Sequence, residues 1–284
     1  MRCTVIIPTY NRAVLLDHTL AALTRQTLPV EDFEVIVVDD GSTDSTAEVT
    51  ATYESQLSLR YLAQADEGYR VARARNLGIS EAEGEICVFL DCGVIAHSGC
   101  LQSHVDAHAS HSEPIALCGY VYGLSFDDSE ADRLRQAADP RHPDDAVAAL
   151  ASEPGTWGDP RDPFFHKYSD DFSYLPAPWV VYWTCNASAR TNHLREVGMF
   201  DEFYRSWGAE DIDLGYRLHR GGARFLLARD AVAVHWPHAK DRSANTASVM
   251  ANYRHLIASY DDPAIRLLGR VRLLDLNDEL MSQR

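Results

Sequence analysis

The chain has 284 residues and a mass of 31.7 kDa, with 42 acidic against 26 basic side chains and a formal net charge of −16. Hydrophobic residues at 46% and charged residues at 24% describe an ordinary folded protein of one large or two small domains, and exclude pervasive disorder, collagen and a disulfide-stapled mini-domain. The acidity, without any long basic run, also excludes a general nucleic-acid binder, so a bound phosphate must be met by local cations.

The chain opens on Cys3-Thr4-Val5-Ile6-Ile7, a β-branched run that ends at Pro8 and predicts a buried first strand with no signal-peptide pattern ahead of it. Leu16, Leu20 and Leu23 then share one helical face. Val35–Val38 predicts a second buried strand ending in Asp39-Asp40-Gly41-Ser42, and Thr43-Asp44-Ser45-Thr46 supplies capping residues for the next helix. A weaker strand is expected at Leu59–Ala63, a helix over Arg70–Ser80, and a fourth strand at Ile86–Leu90 ending at Asp91. Continuous apolar strands alternating with amphipathic helices imply a parallel sheet covered on both faces, which binds its ligands at the carboxyl ends of the strands. Thr9, Asp39, Asp40 and Asp91 fall at those ends.

From about Asp127 to Pro178 the alternation stops. Asp127-Asp128, Asp139-Pro140, Asp144-Asp145, Pro154-Gly155, Asp159-Pro160 and Asp162-Pro163 punctuate a segment that also holds a helix-like Glu130–Ala138 and the aromatics Trp157, Phe164, Phe165, Tyr168, Phe172 and Tyr174. Its length and aromatic content predict a substrate-side lid or partner surface rather than plain disorder. Order resumes at Val180–Trp183, with a further strand at Arg224–Val234. Ile265, Leu268, Val271 and Leu274 predict a C-terminal helix within Pro263–Arg284, docked on the domain or on a partner, a second copy included. No apolar stretch approaches the ~20 residues that span a bilayer. The six cysteines, Cys3, Cys87, Cys92, Cys100, Cys118 and Cys185, form no CxxC pair and read as reduced thiols of a cytoplasmic protein.

Three segments bear on one another: Val5–Arg12, Val35–Asp44, and Ala74-Arg75-Asn76-Leu77-Gly78 followed by Phe89-Leu90-Asp91. In their order and spacing they resemble the nucleotide-binding half of family 2 glycosyltransferases of the GT-A fold. The resemblance implies a single α/β, Rossmann-like domain whose mostly parallel central sheet carries helices on both faces, with an insertion and a C-terminal helix. It divides the chain into a donor half at 1–125, an insertion at 126–178, an acceptor-binding and catalytic half at 179–240, and a helical extension at 241–284. A UDP-sugar is the implied donor, and a small molecule, glycan or peptide the acceptor. The chemistry of such a donor matches the residues present: a carboxylate accepts the uracil imide N–H, and a pyrophosphate needs cations or a metal. Asp40 is assigned to the base, Pro8, Thr9 and Tyr10 to the base and ribose, and Arg12 and Arg75 to charge compensation. One of Asp39 and Asp40 is expected to serve the turn instead.

Asp91-Cys92-Gly93 stands where the family carries its Asp-x-Asp metal motif, and the second acid is absent. Either Asp91 holds a manganese or magnesium ion with help from elsewhere, or no metal is used. His235, closing the strand Ala231–Val234, is a candidate second ligand, against a role as an ordinarily satisfied histidine, and His238 is a weaker one.

Ser206-Trp207-Gly208-Ala209-Glu210-Asp211 resembles the Trp-Gly-x-Glu-Asp acceptor-site motif of galactosyltransferases and bacterial chondroitin-type polymerases. Inverting transfer needs one carboxylate to take the proton from the attacking hydroxyl. The resemblance assigns that to Asp211, an acceptor-hydroxyl contact to Glu210, and an apolar floor for a sugar to Trp207. Asp213 and Arg217, at i and i+4, read as a helical ion pair. Asn186 and Arg190 fall on the donor-facing strand of the fold as secondary candidates, with core or turn roles equally open. His104, His108 and His111 share a helical face, but the surrounding Ser103, Asp106 and Ser110 and the missing glutamate argue against zinc. A catalytically silent nucleotide-sugar-binding protein of the same fold is the rival. A nucleotidyltransferase is disfavoured because residues 8–16 lack Gly and Lys, and a dehydrogenase because no GxGxxG follows the first strand.

Overall fold

The computed structural model describes residues 1–124, 130–239 and 242–282. Strands β1 (Cys3–Thr9), β2 (Phe33–Asp39), β3 (Leu59–Ala63) and β4 (Ile86–Leu90) pair in parallel in the order β3-β2-β1-β4, joined by helices α1 (Ala13–Leu23), α2 (Thr46–Ala51) and α3 (Val71–Glu81). These are the predicted elements to within a residue or two. The strands bury both faces: Val5, Ile7, Val88 and Leu90 point into the core shared with Leu16, Leu20 and Leu23, while Ile6, Cys87 and Phe89 face the opposite one. Period-two alternation between two apolar layers is why the strands read as unbroken hydrophobic runs.

The second half extends the same sheet. After β5 (Val94–Ala96), α4 (Cys100–Ala109) and β6 (Ile115–Tyr122), the remaining strands β7 (Asn186–Arg190) and β8 (Arg224–His235) complete the order β3-β2-β1-β4-β7-β6-β8-β5. Here the sheet is mixed: β7 lies antiparallel between β4 and β6, β5 is antiparallel to β8, and β6 and β8 are parallel. Gly119 on β6 permits this crossing, since a Cβ there would stand 2.2 Å from Asn186 Nδ2.

The insertion is packed on the domain. Helices α5 (Ala131–Ala137), α6 (Pro143–Ala151), α7 (Pro154–Trp157) and α8 (Asp162–Tyr168) fold onto the domain. Phe164, Phe165, Tyr168 and Phe172 lie in the main core, and Trp157 packs with Val234 and Trp236. The aromatics that follow the Asp-Pro turns therefore belong to the main core; Tyr174 alone of the aromatics named above stays largely exposed, at 67%. Asp127 and Asp128 lie outside the described residues.

Helices α9 (Thr191–Glu196) and α10 (Glu210–Arg220) flank the second half. The C-terminal region corrects the expected helix. The long helix is α11 (Arg242–Ser259), upstream of the predicted one. Residues after Pro263 form 3-10 turns at Ile265–Leu267 and Leu273–Asp275 around Gly269, whose φ of +75° breaks any helix, before a short α12 (Leu276–Ser282). Ile265, Leu268 and Leu276 are buried in the chain's own core, so the apolar stripe read as a docking face is covered by its own domain. No described helix is long and apolar enough to cross a membrane. All six cysteines are free and buried.

Candidate active site

The site forms along the carboxyl edge of β1, β2 and β4, where three loops are tied together by side chains. Asn11, at a φ of +50°, accepts hydrogen bonds on Oδ1 from the backbone N–H of Thr43 at 2.8 Å and of Asp44 at 3.3 Å. Asp44 in turn accepts from the N–H of Ala13 at 3.0 Å, so the loops after β1 and β2 are one unit. The adjacent acids then separate. Asp39 Oδ1 accepts from Gly41 N at 3.1 Å and Ser42 N at 2.8 Å, which is the turn role. Asp40 points to the loop after β3, accepting from Gln64 Nε2 at 2.5 Å and from Arg70 N at 2.8 Å. Burial raises the Asp40 carboxyl above its usual range, and those donors partly offset the rise. Tyr10, 44% exposed, donates to Asp66 across the mouth of this cleft.

Arg75 on α3 links the two halves of the molecule. It is 3% exposed, donates from Nη2 to Asp91 Oδ1 at 2.8 Å and from Nη1 to Glu210 Oε1 at 3.1 Å, and lies 5.3 Å from the Phe200 ring centre. Burial opposes its charge, while Asp91 and Glu210 more than compensate and keep it cationic. The next residue, Asn76, holds the turn before the acidic motif, donating to Phe200 O at 2.9 Å and accepting from Phe200 N at 2.8 Å.

Glu210 and Asp211 open α10 after a turn with two successive left-handed residues, Gly208 at φ +90° and Ala209 at +77°. Glu210 is 6% exposed, and its Oε2 is buried without a hydrogen-bond partner. Asp211 is half-buried. Burial, and then the Glu210 carboxylate, push the Asp211 carboxyl well above the usual carboxylate range against the pull of Arg75. Tyr69, 40% exposed as a residue, has its hydroxyl on the inner side, where burial and then the Glu210 carboxylate raise its pKa. Trp207 is 42% exposed beside them.

The loop after β4 adjoins the end of β8. Trp236 N donates to Gly93 O at 2.8 Å and Val94 pairs with His235, which places His235 next to the Asp91-Cys92-Gly93 turn. Arg12 Nη1 meets His238 Nε2 at 3.0 Å, and the His235 and His238 rings are 5.2 Å apart. Among the described residues no three His, Cys, Asp or Glu side chains converge to hold a metal. Cys92 is no ligand: it hydrogen-bonds with Thr9 Oγ1 and Arg12 O, and burial pushes its thiol up to about 12. Asp91 spends one oxygen on Arg75. Asp91 and His235 are on adjoining turns, and the described residues form no metal centre of three or more side chains there.

Pro8 and Thr9 at the end of β1, Arg75 on α3, Glu210 and Asp211 at the start of α10, His235 at the end of β8, and Tyr10, Arg12, Asp40, Asp91 and Trp207 in the adjoining loops are the expected site residues that lie on this edge or lead into it. Asn186 does not: it is fully buried behind the sheet, accepting from His104 and donating to Ala231 O at 2.8 Å, so it is a core residue rather than a sugar contact. The same network removes the histidine trio as a metal site, since His104 and His108 both bind Ser188 Oγ and His111 binds Ala107 O. Arg190 likewise serves structure, donating to His111 O at 2.6 Å. Asp213 and Arg217 form the expected ion pair, at 2.7 Å. Sequence reasoning missed Gln64, Tyr69 and Asn252. Gln64 follows the third strand directly, so the strand-end rule reaches it; Asn252 carries no local signal, being a polar residue within the helical extension.

The sequence model for glycosyl transferase family 2 matches residues 4–152. The chain is 42% identical over 248 residues to the validoxylamine A glucosyltransferase of Streptomyces hygroscopicus subsp. jinggangensis, an alignment that covers 87% of this chain and 58% of that protein. The chain therefore spans little more than half the length of that relative. The crystal structure of S. aureus TarS with UDP-GlcNAc superposes with a TM-score of 0.68 at 19% identity, covering all of this chain and 71% of the other. A mannosyltransferase from Pyrobaculum calidifontis, in complex with GDP-Man and Mn2+, superposes at 0.59 with 19% identity, covering 99% of this chain and 74% of the other.

Proposed function

Because the chain belongs to glycosyl transferase family 2, we propose that it transfers a sugar from a UDP-sugar to a hydroxyl of a small polyhydroxylated acceptor, with inversion and with Asp211 as general base. The observation that carries this reading is the Arg75 bridge, which draws Asp91 of the donor half and Glu210 of the acceptor half onto one buried cation. A donor diphosphate and an acceptor hydroxyl would meet at that point. UDP-GlcNAc in TarS supports a uridine donor, and the name of the Streptomyces relative supports a glucosyl group and a compact acceptor.

In this mechanism Asp40 accepts the imide N–H of the base, using lone pairs that Gln64 and Arg70 leave open. Pro8, Thr9 and Tyr10 line the base and ribose, and Arg12 with Arg75 offsets the diphosphate charge. Trp207 floors the sugar. The unpartnered Oε2 of Glu210 accepts the acceptor's hydrogen bond and orients it. Asp211 takes the hydroxyl proton as the acceptor oxygen bonds to the anomeric carbon, and the bond from that carbon to the diphosphate oxygen breaks with its electron pair leaving on UDP. A raised carboxyl pKa makes Asp211 a stronger base than an exposed aspartate. A divalent cation, manganese or magnesium, held by Asp91 and His235 would stabilise the negative charge on the departing diphosphate. Six buried thiols support a reducing, cytoplasmic setting.

Replacing Asp211 with Asn tests the assignment. Turnover, read as UDP release, falls by about 10²–10⁴-fold while calorimetric affinity for UDP is retained. Undiminished turnover sinks the base assignment, and UDP binding without any turnover in the parent protein favours a silent nucleotide-sugar-binding protein.

A further inference from the structure

Resting on the reading of Asp211 as base, we propose that Asn252 on α11 is a positioning residue that sets the base through the turn in front of it. The turn Ser206–Ala209 leaves helical and extended geometry at two successive positions, and Ala209 has no glycine's freedom to do so. Its carbonyls converge on one group. Asn252 Nδ2 donates to Gly208 O at 2.7 Å, with Ser206 O at 3.2 Å and Trp207 O at 3.4 Å, while its Oδ1 accepts from Ser206 Oγ at 3.3 Å. At 5% exposure the amide is shielded from water that would otherwise compete for those carbonyls.

Asn252 is the centre of a three-point grip. Val249 packs under Gly208, where a Cβ would come within 3.2 Å of its Cγ2, and His255 binds Asp201 Oδ2 at 2.9 Å while stacking on Phe203 at 3.6 Å. Positions 249, 252 and 255 recur every three residues, which puts them along one side of α11. The gripped turn leads directly into α10, whose first backbone bond runs from Asp213 N to Ala209 O at 2.9 Å. A small rotation at Gly208 or Ala209 therefore swings Glu210 and Asp211 together. The titratable and charged groups around Asp211 are Glu210 on α10, Arg75 on α3, Asp91 after β4, Tyr69 before α3, Tyr253 on α11, and the buried Tyr182 and Cys185 before β7. Asn252 carries no charge and acts on Asp211 through geometry.

The test uses the full chain, UDP-glucose as donor and UDP release as the readout, with Asp211→Asn as the reference. A large loss in Asp211→Asn upholds the base assignment; its absence defeats that assignment by itself, separately from the role of Asn252. With the reference arm in place, Asn252→Ala lowers kcat by about 10–100-fold, leaves KM for UDP-glucose and the Kd for UDP within about twofold, and moves the acid limb of kcat to lower pH as the loosened turn hydrates Asp211. A purely structural role predicts a lower Tm with kcat per folded molecule and its pH profile unchanged, and that result overturns the proposal. Where Asn252→Ala does not fold, Ser206→Ala decides: it removes only the hydroxyl that holds the amide's orientation. A several-fold fall in kcat with the same pH displacement supports the role of Asn252, and parent-like kinetics overturn it.

Discussion

Asp211 shows how one side chain acquires two consequences from one environment. Burial and the neighbouring Glu210 raise its carboxyl pKa in the folded chain, so the folded state holds the proton more tightly than the unfolded chain does. Stability at this site is therefore greatest in acid and falls as pH climbs from about 4 through the raised value, because ionisation is disfavoured only when folded. Asp211→Asn removes the penalty. Thermal unfolding of the two proteins across that range should show the variant gaining on the parent as pH rises, and parallel Tm curves would mean that the carboxyl is not raised. Residue type alone left Asp39 and Asp40 interchangeable. What separates them is direction: successive side chains at a strand end point to opposite sides, so Asp39 closes the turn on Gly41 and Ser42 while Asp40 faces Gln64 and Arg70.

The elements follow local patterning where the core is local, and depart from it where a distant partner decides. The Leu16, Leu20 and Leu23 stripe is legible because each residue buries against strands that lie beside it in the chain. In the insertion the Asp-Pro punctuation conceals how the segment is pinned. Arg161, fully buried, meets Asp159 at 2.7 Å, donates to Gly119 O and Val181 O, and lies over the rings of Phe165 and Trp183. Asp159 also accepts from Val121 N at 3.0 Å, so this pair fastens the insertion to β6. Arg161→Met leaves Asp159 buried without its cation and should lower stability by about 3–5 kcal/mol in urea unfolding; a loss under about 1 kcal/mol would show that the pair does not hold the insertion. The C-terminal stripe failed as a helix for a related reason. Its apolar spacing is real, but Gly269 turns the chain so that the same residues reach the core by 3-10 turns.

At the scale of the molecule, a net charge of −16 makes any diphosphate site a local exception to the surrounding field. The cations at the proposed site are Arg12 and the buried Arg75, each already engaged by a protein partner, His238 for one and two carboxylates for the other. A UDP-sugar that fits should therefore stabilise the fold: at a hundredfold excess over its Kd the gain is about 2.7 kcal/mol. Thermal shift across a panel of UDP-sugars reads out the donor, and a panel that leaves Tm unmoved contradicts a UDP-sugar site. By itself the sequence determined the parallel half-sheet and the residues at its strand ends, because strand burial and strand ends are properties of near neighbours. Only the tertiary structure decided that Arg75 reaches Glu210 across 135 positions, that Asn186 turns into the core, and that α11 grips the turn before Asp211. Those outcomes depend on which surfaces meet after the chain closes, and no local periodicity encodes that.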